Sequence, residues 1–344
     1  MTKTINRRAF LQLGMLSLSS LAFRPLQNIA AKLIAPDLAR VSAKSISVYR
    51  EANDTSTILF QHFRDELVNL YYEVISPSGP TYNPRWYRVW RGYMHSGKLV
   101  KVKYILNPIM RSIPTGGVLT EVTVPFTQAY RFFKNGTWEQ VYRLYYGSNH
   151  WVTGVANGMD GTPWYTITDE LGELEYRAPA SHFRKILPEE LTPLASDVPA
   201  DQKRIEVSLT DQSLTAYEGD TVVLNTKISS GIDIESSNGV PTKTPRGKFN
   251  IEIKMPSKHM GDGKITSDPE AYEFPGVPWT SFFVWDIGVA FHGTYWHDSF
   301  GIPMSHGCIN MKNDEAKWLY RWSMPVIEAN AWVKNGLGTK VVVA

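Results

Sequence analysis

The sequence predicts a mainly β protein with one short helix, and three observations carry that prediction. From Ser45 to about Ile186, aromatic and β-branched residues dominate and Gly, Pro or Asn turns recur roughly every ten residues, the rhythm of short antiparallel strands. Arg204-Ile205-Glu206-Val207-Ser208-Leu209 alternates in polarity, turns at Asp211-Gln212 and returns through Ser213 to Tyr217, which reads as a hairpin, and Thr221 to Ile228 follows as a third strand. Helical signals gather only behind residue 312: Asn313 as cap, Asp314 and Glu315 in the first turn, and Ala316, Leu319 and Tyr320 on one face.

Taken in order, residues 1–30 read as a twin-arginine export signal. Asn6-Arg7-Arg8-Ala9-Phe10-Leu11 precedes a weakly apolar run from Leu13 to Phe23 that is too short for a membrane span of about 20 residues. Cleavage is expected after Ala22 or Ala31, which would place the mature chain in the periplasm, the cell wall or the medium. Loss of Lys3, Arg7 and Arg8 takes the formal charge from +3 to zero, and a neutral mature chain argues against a nucleic-acid partner. At 344 residues and 43% hydrophobic content the chain has room for two or three domains, and no later segment is apolar enough to span a bilayer.

The β-rich half is expected to form two modules, residues 43–110 and 116–187. Leu70-Tyr71-Tyr72 and Pro84-Arg85-Trp86-Tyr87-Arg88-Val89 are echoed by Leu144-Tyr145-Tyr146 and Pro163-Trp164-Tyr165-Thr166-Ile167, as two copies of one small barrel would be. The first copy, and more weakly the second, resembles the bacterial SH3-like modules that accompany cell-wall enzymes; a single β-sandwich is the alternative. Pro188, Pro193 and Pro199 mark residues 188–202 as an extended linker, so that residues 203–344 would be separable.

Cys308 is the sole cysteine, and in an exported chain a lone thiol is more plausibly a reagent than half of a disulfide. A nucleophilic cysteine needs a base, because a free thiol of pKa about 8.5 is only partly ionised at neutral pH. Two histidines qualify. His306 lies two residues before Cys308, on the same face of an extended segment, and His292 ends the apolar stretch Gly288-Val289-Ala290-Phe291, from which a hairpin-like return would bring it opposite the thiol. Gly293 and Gly307 would leave backbone groups open to an incoming substrate. A zinc site of His292, His297, His306 and Cys308 matches no standard ligand spacing, so no metal and no cofactor is expected. His95, His259 and His297 lack a comparable context and are expected at the surface.

His292-Gly293-Thr294, Gly301 and Ser305-His306-Gly307-Cys308-Ile309-Asn310-Met311, together with Thr244-Pro245-Arg246-Gly247-Lys248-Phe249 and the opening strand pair, resemble the L,D-transpeptidase catalytic domain, the YkuD-like family of peptidoglycan cross-linking enzymes. The resemblance covers residues 203–344. Asn310 departs from it, since many members carry arginine there.

The resemblance implies a C-terminal β-sandwich with a short helix, preceded by one or two small SH3-like barrels, and a cysteine-dependent acyltransferase acting on peptidoglycan stem peptides as a monomer. In that reading Cys308 is the nucleophile and forms a thioester, D-Ala leaves, and a neighbouring stem's amine completes a 3-3 cross-link. His292 is the base, oriented by a carbonyl near Gly293. The amides of His306, Gly307 and Cys308 form the oxyanion hole, while Ser305 and Asn310 shape the loop or touch substrate. The motif leaves open an L,D-carboxypeptidase, in which water replaces the amine, and a non-catalytic wall-binding protein. It also leaves open which diamino acid is used and whether Asp262, Asp268 or Glu273 reads its amine.

Overall fold

Alternating apolar residues decide the C-terminal half. In the strand Lys203–Ser208 every second side chain is buried, and Ile205 and Val207 face a core shared with Leu214, Ala216, Val341 and Val343. Lys203–Ser208 pairs antiparallel with Ser213–Glu218 in the expected register, Ile205 opposite Ala216, and parallel with Lys340–Val343. A second five-stranded sheet runs Ile309–Met311, Val289–Gly293, Glu273–Val284, Ile253–Gly261, Lys334–Asn335 and supplies Trp279, Phe283, Phe291, Ile309 and Met311 to the same core. The helix Asn313–Trp322 packs Ala316, Leu319 and Tyr320 inward as predicted. Lys312, not Asn313, takes the cap position, because the Asn313 amide reaches out to the carbonyl of Gly147.

The computed structural model describes residues 37–170, 174–234 and 241–344. The expected export signal, residues 1–30, lies outside the described residues. None of the helices among the described residues is long and apolar enough to cross a membrane.

The N-terminal half is two copies of one strand plan. In the first, Asp37–Val41 pairs with Leu99–Val102, a strand entered through the 3-10 turn Ser96–Lys98, while Ile58–Phe63, Ser45–Tyr49, Gly92–His95, Arg85–Val89 and Tyr72–Ile75 lie side by side in that order. In the second, Val118–Val122 pairs with Phe183–Lys185, a strand entered through the turn Ala180–His182, and Trp138–Tyr145, Phe126–Phe132, Glu175–Pro179, Pro163–Thr168 and Asn149–Asn157 repeat the same adjacency. The copies differ at one place. Leu67–Leu70 and Tyr72–Ile75 are separate strands broken at Tyr71, whereas Asn149–Asn157 runs through a register shift between Val152 and Gly154 and pairs with Val118–Val122 by its first half and Pro163–Thr168 by its second.

The echo between Pro84–Val89 and Pro163–Ile167 therefore marks equivalent strands. Leu70-Tyr71-Tyr72 and Leu144-Tyr145-Tyr146 do not, since the first straddles the break and the second ends a different strand. The first copy also begins before residue 43. Its opening strand was hidden by Arg40, which points inward to a buried ion pair with Asp65 at 3.0 Å.

Residues 188–202 connect the second copy to the sandwich, but they are docked rather than extended. Leu191 is buried in the sandwich core, Leu194 and Ala195 pack against it, and the Lys203 ammonium donates to the carbonyls of Leu194 and Trp322. Trp151 of the second copy joins that core and stacks on Trp332 with ring centroids 4.8 Å apart. Residues Leu38–Ala344 thus form one compact unit.

Candidate functional site

The strands Val289–Gly293 and Ile309–Met311 are parallel neighbours, with His292 opposite Asn310. This differs from the expected hairpin-like return: the chain between them crosses over instead of reversing, so Cys308 lies just before the second strand, within the electrostatic reach of the Ala290 N–H. Cys308 is half-buried and its thiol donates to the carbonyl of Gly288 at 3.3 Å. Lost hydration pushes the thiol up to about 11, opposed only in part by that Ala290 N–H.

His292 is 2% exposed. Its Nδ1–H donates to the carbonyl of Gly293 at 2.9 Å, so the Nε2 lone pair is the ring's proton acceptor. Burial pushes it down to about 4, against the pull of that carbonyl. Both shifts point the same way: burial favours the neutral thiol and the neutral imidazole over a thiolate and an imidazolium until something polar enters the site.

The loop before Cys308 is tied from several sides. Ser305 Oγ donates to the carbonyl of Cys308 and accepts the Gly307 N–H at 3.2 Å. Thr244 Oγ1 donates to the Gly307 carbonyl at 2.7 Å and accepts the Gly231 N–H at 2.9 Å. Gly231 must be glycine, because a Cβ there would meet Gly307 at 2.8 Å and the Thr242 carbonyl at 2.2 Å. The backbone groups of Gly293 and Gly307 expected to stand open are thus already occupied: the Gly293 carbonyl holds His292, and both polar groups of Gly307 are bonded.

His306 is exposed, and its ring packs edge-on against Tyr272 at 4.7 Å. Tyr272 begins an aromatic wall that continues through Phe274 at 5.1 Å and Trp296 at 4.5 Å to His292 at 5.7 Å, joining the two histidines around the thiol. Burial, and after it the charge of Cys308, push the Tyr272 hydroxyl up to about 12.

His297 and His259 are buried, not at the surface as expected, whereas His95 is half-buried. His297 accepts the Ser299 N–H at Nδ1 (3.1 Å), which leaves Nε2 carrying the proton, and Nε2 faces the Asn310 amide at 2.9 Å. The Asn310 oxygen must be the atom turned to that N–H, since neutral imidazole offers one donor and one acceptor. Asn310 is 1% exposed and its backbone pairs both ways with Ser229, so it shapes the site and does not line it.

Of the acids expected to read a substrate amine, Glu273 is engaged with His259, Asp262 faces Lys264, and Asp268 holds the Glu270 N–H. Thr244 belonged to a motif already noticed, but nothing local to Tyr272 or His297 betrayed the contacts that crossover and hairpin give them.

A family model for the L,D-transpeptidase catalytic domain, YkuD, matches residues 202–343. These residues form an L,D-transpeptidase catalytic domain. Similar solved structures include an L,D-transpeptidase from Xylanimonas cellulosilytica, 24% identical over 42% of this chain and 62% of that one with a TM-score of 0.30. One from Enterococcus faecium is 26% identical over 42% and 50%, TM-score 0.31. One from Mycobacterium smegmatis is 16% identical over 72% and 89%, TM-score 0.32. The chain thus spans 62% and 50% of the first two relatives. None of the curated proteins compared matches the chain.

Proposed function

We propose that the L,D-transpeptidase domain joins peptidoglycan stem peptides in 3-3 cross-links through a Cys308 thioester. The observation that carries this reading is a half-buried thiol, on a loop locked by Ser305 and Thr244, that leads into the strand lying parallel beside the strand of His292, a buried histidine whose Nδ1–H is committed to the Gly293 carbonyl. As donor substrate fills the cleft, the thiol proton passes to His292 Nε2 and Sγ attacks the carbonyl carbon that follows the diamino acid's L-centre. The carbon–nitrogen bond breaks, and D-Ala leaves with the proton held by His292. An amine of a second stem then attacks the thioester, gives up a proton through His292, and releases the thiol.

The bonds around Gly307 support a choice of oxyanion donors in this scheme. The Gly307 carbonyl and the Cys308 N–H belong to one peptide plane, so Thr244, by holding that carbonyl, aims the N–H the opposite way. The Gly307 N–H is taken by Ser305, which narrows the hole to the amides of His306 and Cys308. The two N-terminal copies serve in this reading as SH3-like units that complete and position the domain on the wall, where the paired arginines Arg7 and Arg8 would deliver it.

Incubating the mature protein with a disaccharide-tetrapeptide and identifying products by mass spectrometry tests the proposal. A cross-linked dimer lacking one D-Ala is expected, and Cys308→Ala should form none while keeping its fold. A hydrolysed tripeptide alone would make it an L,D-carboxypeptidase. No product, or unimpaired turnover by Cys308→Ala, would overturn it.

A further inference from the structure

The sandwich hairpin whose strands are Ile253–Gly261 and Glu273–Val284 carries Tyr272 at the foot of its second strand, against His306 of the thiol loop. Neither strand sets its own position. A register shift between Lys258 and Met260 falls at His259, and there the second N-terminal copy closes on both strands. His259 Nδ1 lies 2.6 Å from Asp169 of that copy and Nε2 lies 2.9 Å from Glu273, with the three side chains 1–3% exposed. Glu170 accepts the backbone N–H of His259 at 2.8 Å and pairs with Lys258. Tyr142 donates to the Lys264 carbonyl at 3.1 Å, and the other Glu273 oxygen accepts the Lys264 N–H. Gly276 lets the copy approach, since a Cβ there would meet the Asn149 carbonyl at 2.4 Å.

We propose that Asp169 and His259 are positioning residues, a buried Asp169–His259–Glu273 clamp through which the second N-terminal copy sets the arm that holds Tyr272 beside the thiol loop. The proposal rests on the transpeptidase reading only for its effect on turnover; the clamp itself is a matter of geometry.

The chemistry follows from donor counting. Neutral imidazole has a single N–H and can satisfy one carboxylate, leaving the other facing a lone pair, whereas imidazolium donates to both. Direct contacts of 2.6 and 2.9 Å leave no gap in which a cation could replace the proton. The groups facing His259 are Asp169, Glu170, Glu273, Lys258, His150 and the rings of Tyr142 and Tyr176. Burial opposes the charge on His259, but its bonds and attraction to the carboxylates outweigh burial and hold it above its ordinary value of 6.5. His150, with no carboxylate bonded to it among the described residues, is pushed by burial down to about 3 and stays neutral. The sign is therefore that of a raised group: the clamp's contribution is complete below the ordinary value and is lost as pH climbs through the higher folded one.

Hydrogen exchange of the full chain, corrected for intrinsic rates, tests this without reference to activity. Segment 262–272 should be protected at about pH 6 and lose about tenfold of that protection at about pH 9, while the hairpin 204–217 does not change. In His259→Gln, which cannot charge, the step should vanish, and in Asp169→Asn it should shrink. Donor acylation should show the same alkaline limb as a rise in KM with kcat nearly constant, absent from His259→Gln. Equal protection of segment 262–272 in the wild-type protein at both pH values, or a wild-type step retained by His259→Gln, would overturn the clamp. If a variant fails to fold, the wild-type series decides. A wild-type step in protein that forms no cross-link would sink the transpeptidase reading and spare the clamp.

Discussion

His292 and His259 sit two strands apart in one five-stranded sheet, both buried, and are shifted in opposite directions from the ordinary imidazole value. His292 has a carbonyl for its one donor and, among the described residues, no carboxylate bonded to it, and burial pushes it down to about 4. His259 has a carboxylate at each nitrogen and is raised. Burial is common to both, so the partner decides. In the proposed reading a base must be neutral at working pH and a bridge must be charged, and one kind of side chain would serve both according to what faces it. Both surroundings are completed from outside the sandwich: Asp169 comes from the second N-terminal copy, and the loop that follows His292 is bonded to the first.

The sharpest way to break the comparison is to remove the proton acceptor. His292→Ala should lower thioester formation by about 10²–10⁴-fold at every pH, the usual worth of a positioned base. His259→Gln should lower it only by losing the clamp. The wild-type thiol itself should alkylate slowly with iodoacetamide at neutral pH, with a rate still rising beyond pH 9, because burial holds it near 11. A rate plateau near neutrality would mean a preformed thiolate–imidazolium pair and would reverse the His292 side of the argument.

A smaller but broad effect is expected on deleting the N-terminal copies. Arg40 Nη2 donates to the Tyr295 carbonyl at 2.8 Å, the Asp298 N–H and Ser299 hydroxyl both donate to the Gly97 carbonyl at 3.0 Å, and Asn83 reaches the Asp298 carbonyl at 3.3 Å. A chain beginning near Asp201 loses these four bonds at roughly 1 kcal/mol each, together with Trp151 from the face of Trp332. It should be poorly soluble, or melt well below the full chain and act on soluble muropeptide at less than about a tenth of its rate. Full activity on soluble substrate would show that the copies only bring the domain to the wall, as a free linker at 188–202 would have required.

What the sequence revealed follows from range. The strand pair from Lys203 and the inward face of the helix are local patterns, and each was legible from spacing or residue type; Cys308 stood out as the sole cysteine, whereas His292 was preferred to His306 on the family resemblance. Asn310 was noticed as a departure, but its partner His297 was not, because the two meet only through the crossover between parallel strands. His259 looked like a surface residue for a related reason. Its partners Asp169 and Glu273 lie far from it in sequence, and a buried charged triad has no periodicity to announce it. Arg40 failed in the opposite direction, its charge disguising a strand whose neighbours Ala39 and Val41 are fully buried.

The smallest predicted effect tests the loop itself. Thr244 is 2% exposed and carries two bonds through one hydroxyl, to the Gly307 carbonyl and from the Gly231 N–H. Thr244→Val keeps the shape and removes both, leaving a buried acceptor and a buried donor unpaired, so about 2 kcal/mol of stability should be lost by denaturant titration. The freed Gly307–Cys308 peptide could then rotate and carry the Cys308 N–H away from the developing oxyanion. The fall in acylation should therefore appear in kcat, about tenfold, with KM unchanged, since the interaction lost is made only as charge builds on the oxygen. Thr244→Ser, which restores the hydroxyl without the methyl, should recover most of the rate. If Thr244→Val loses stability yet keeps its full kcat, the Ser305 bonds to the two flanking peptides suffice to hold the plane, and the orientation of the Cys308 N–H does not depend on the Thr-Pro turn.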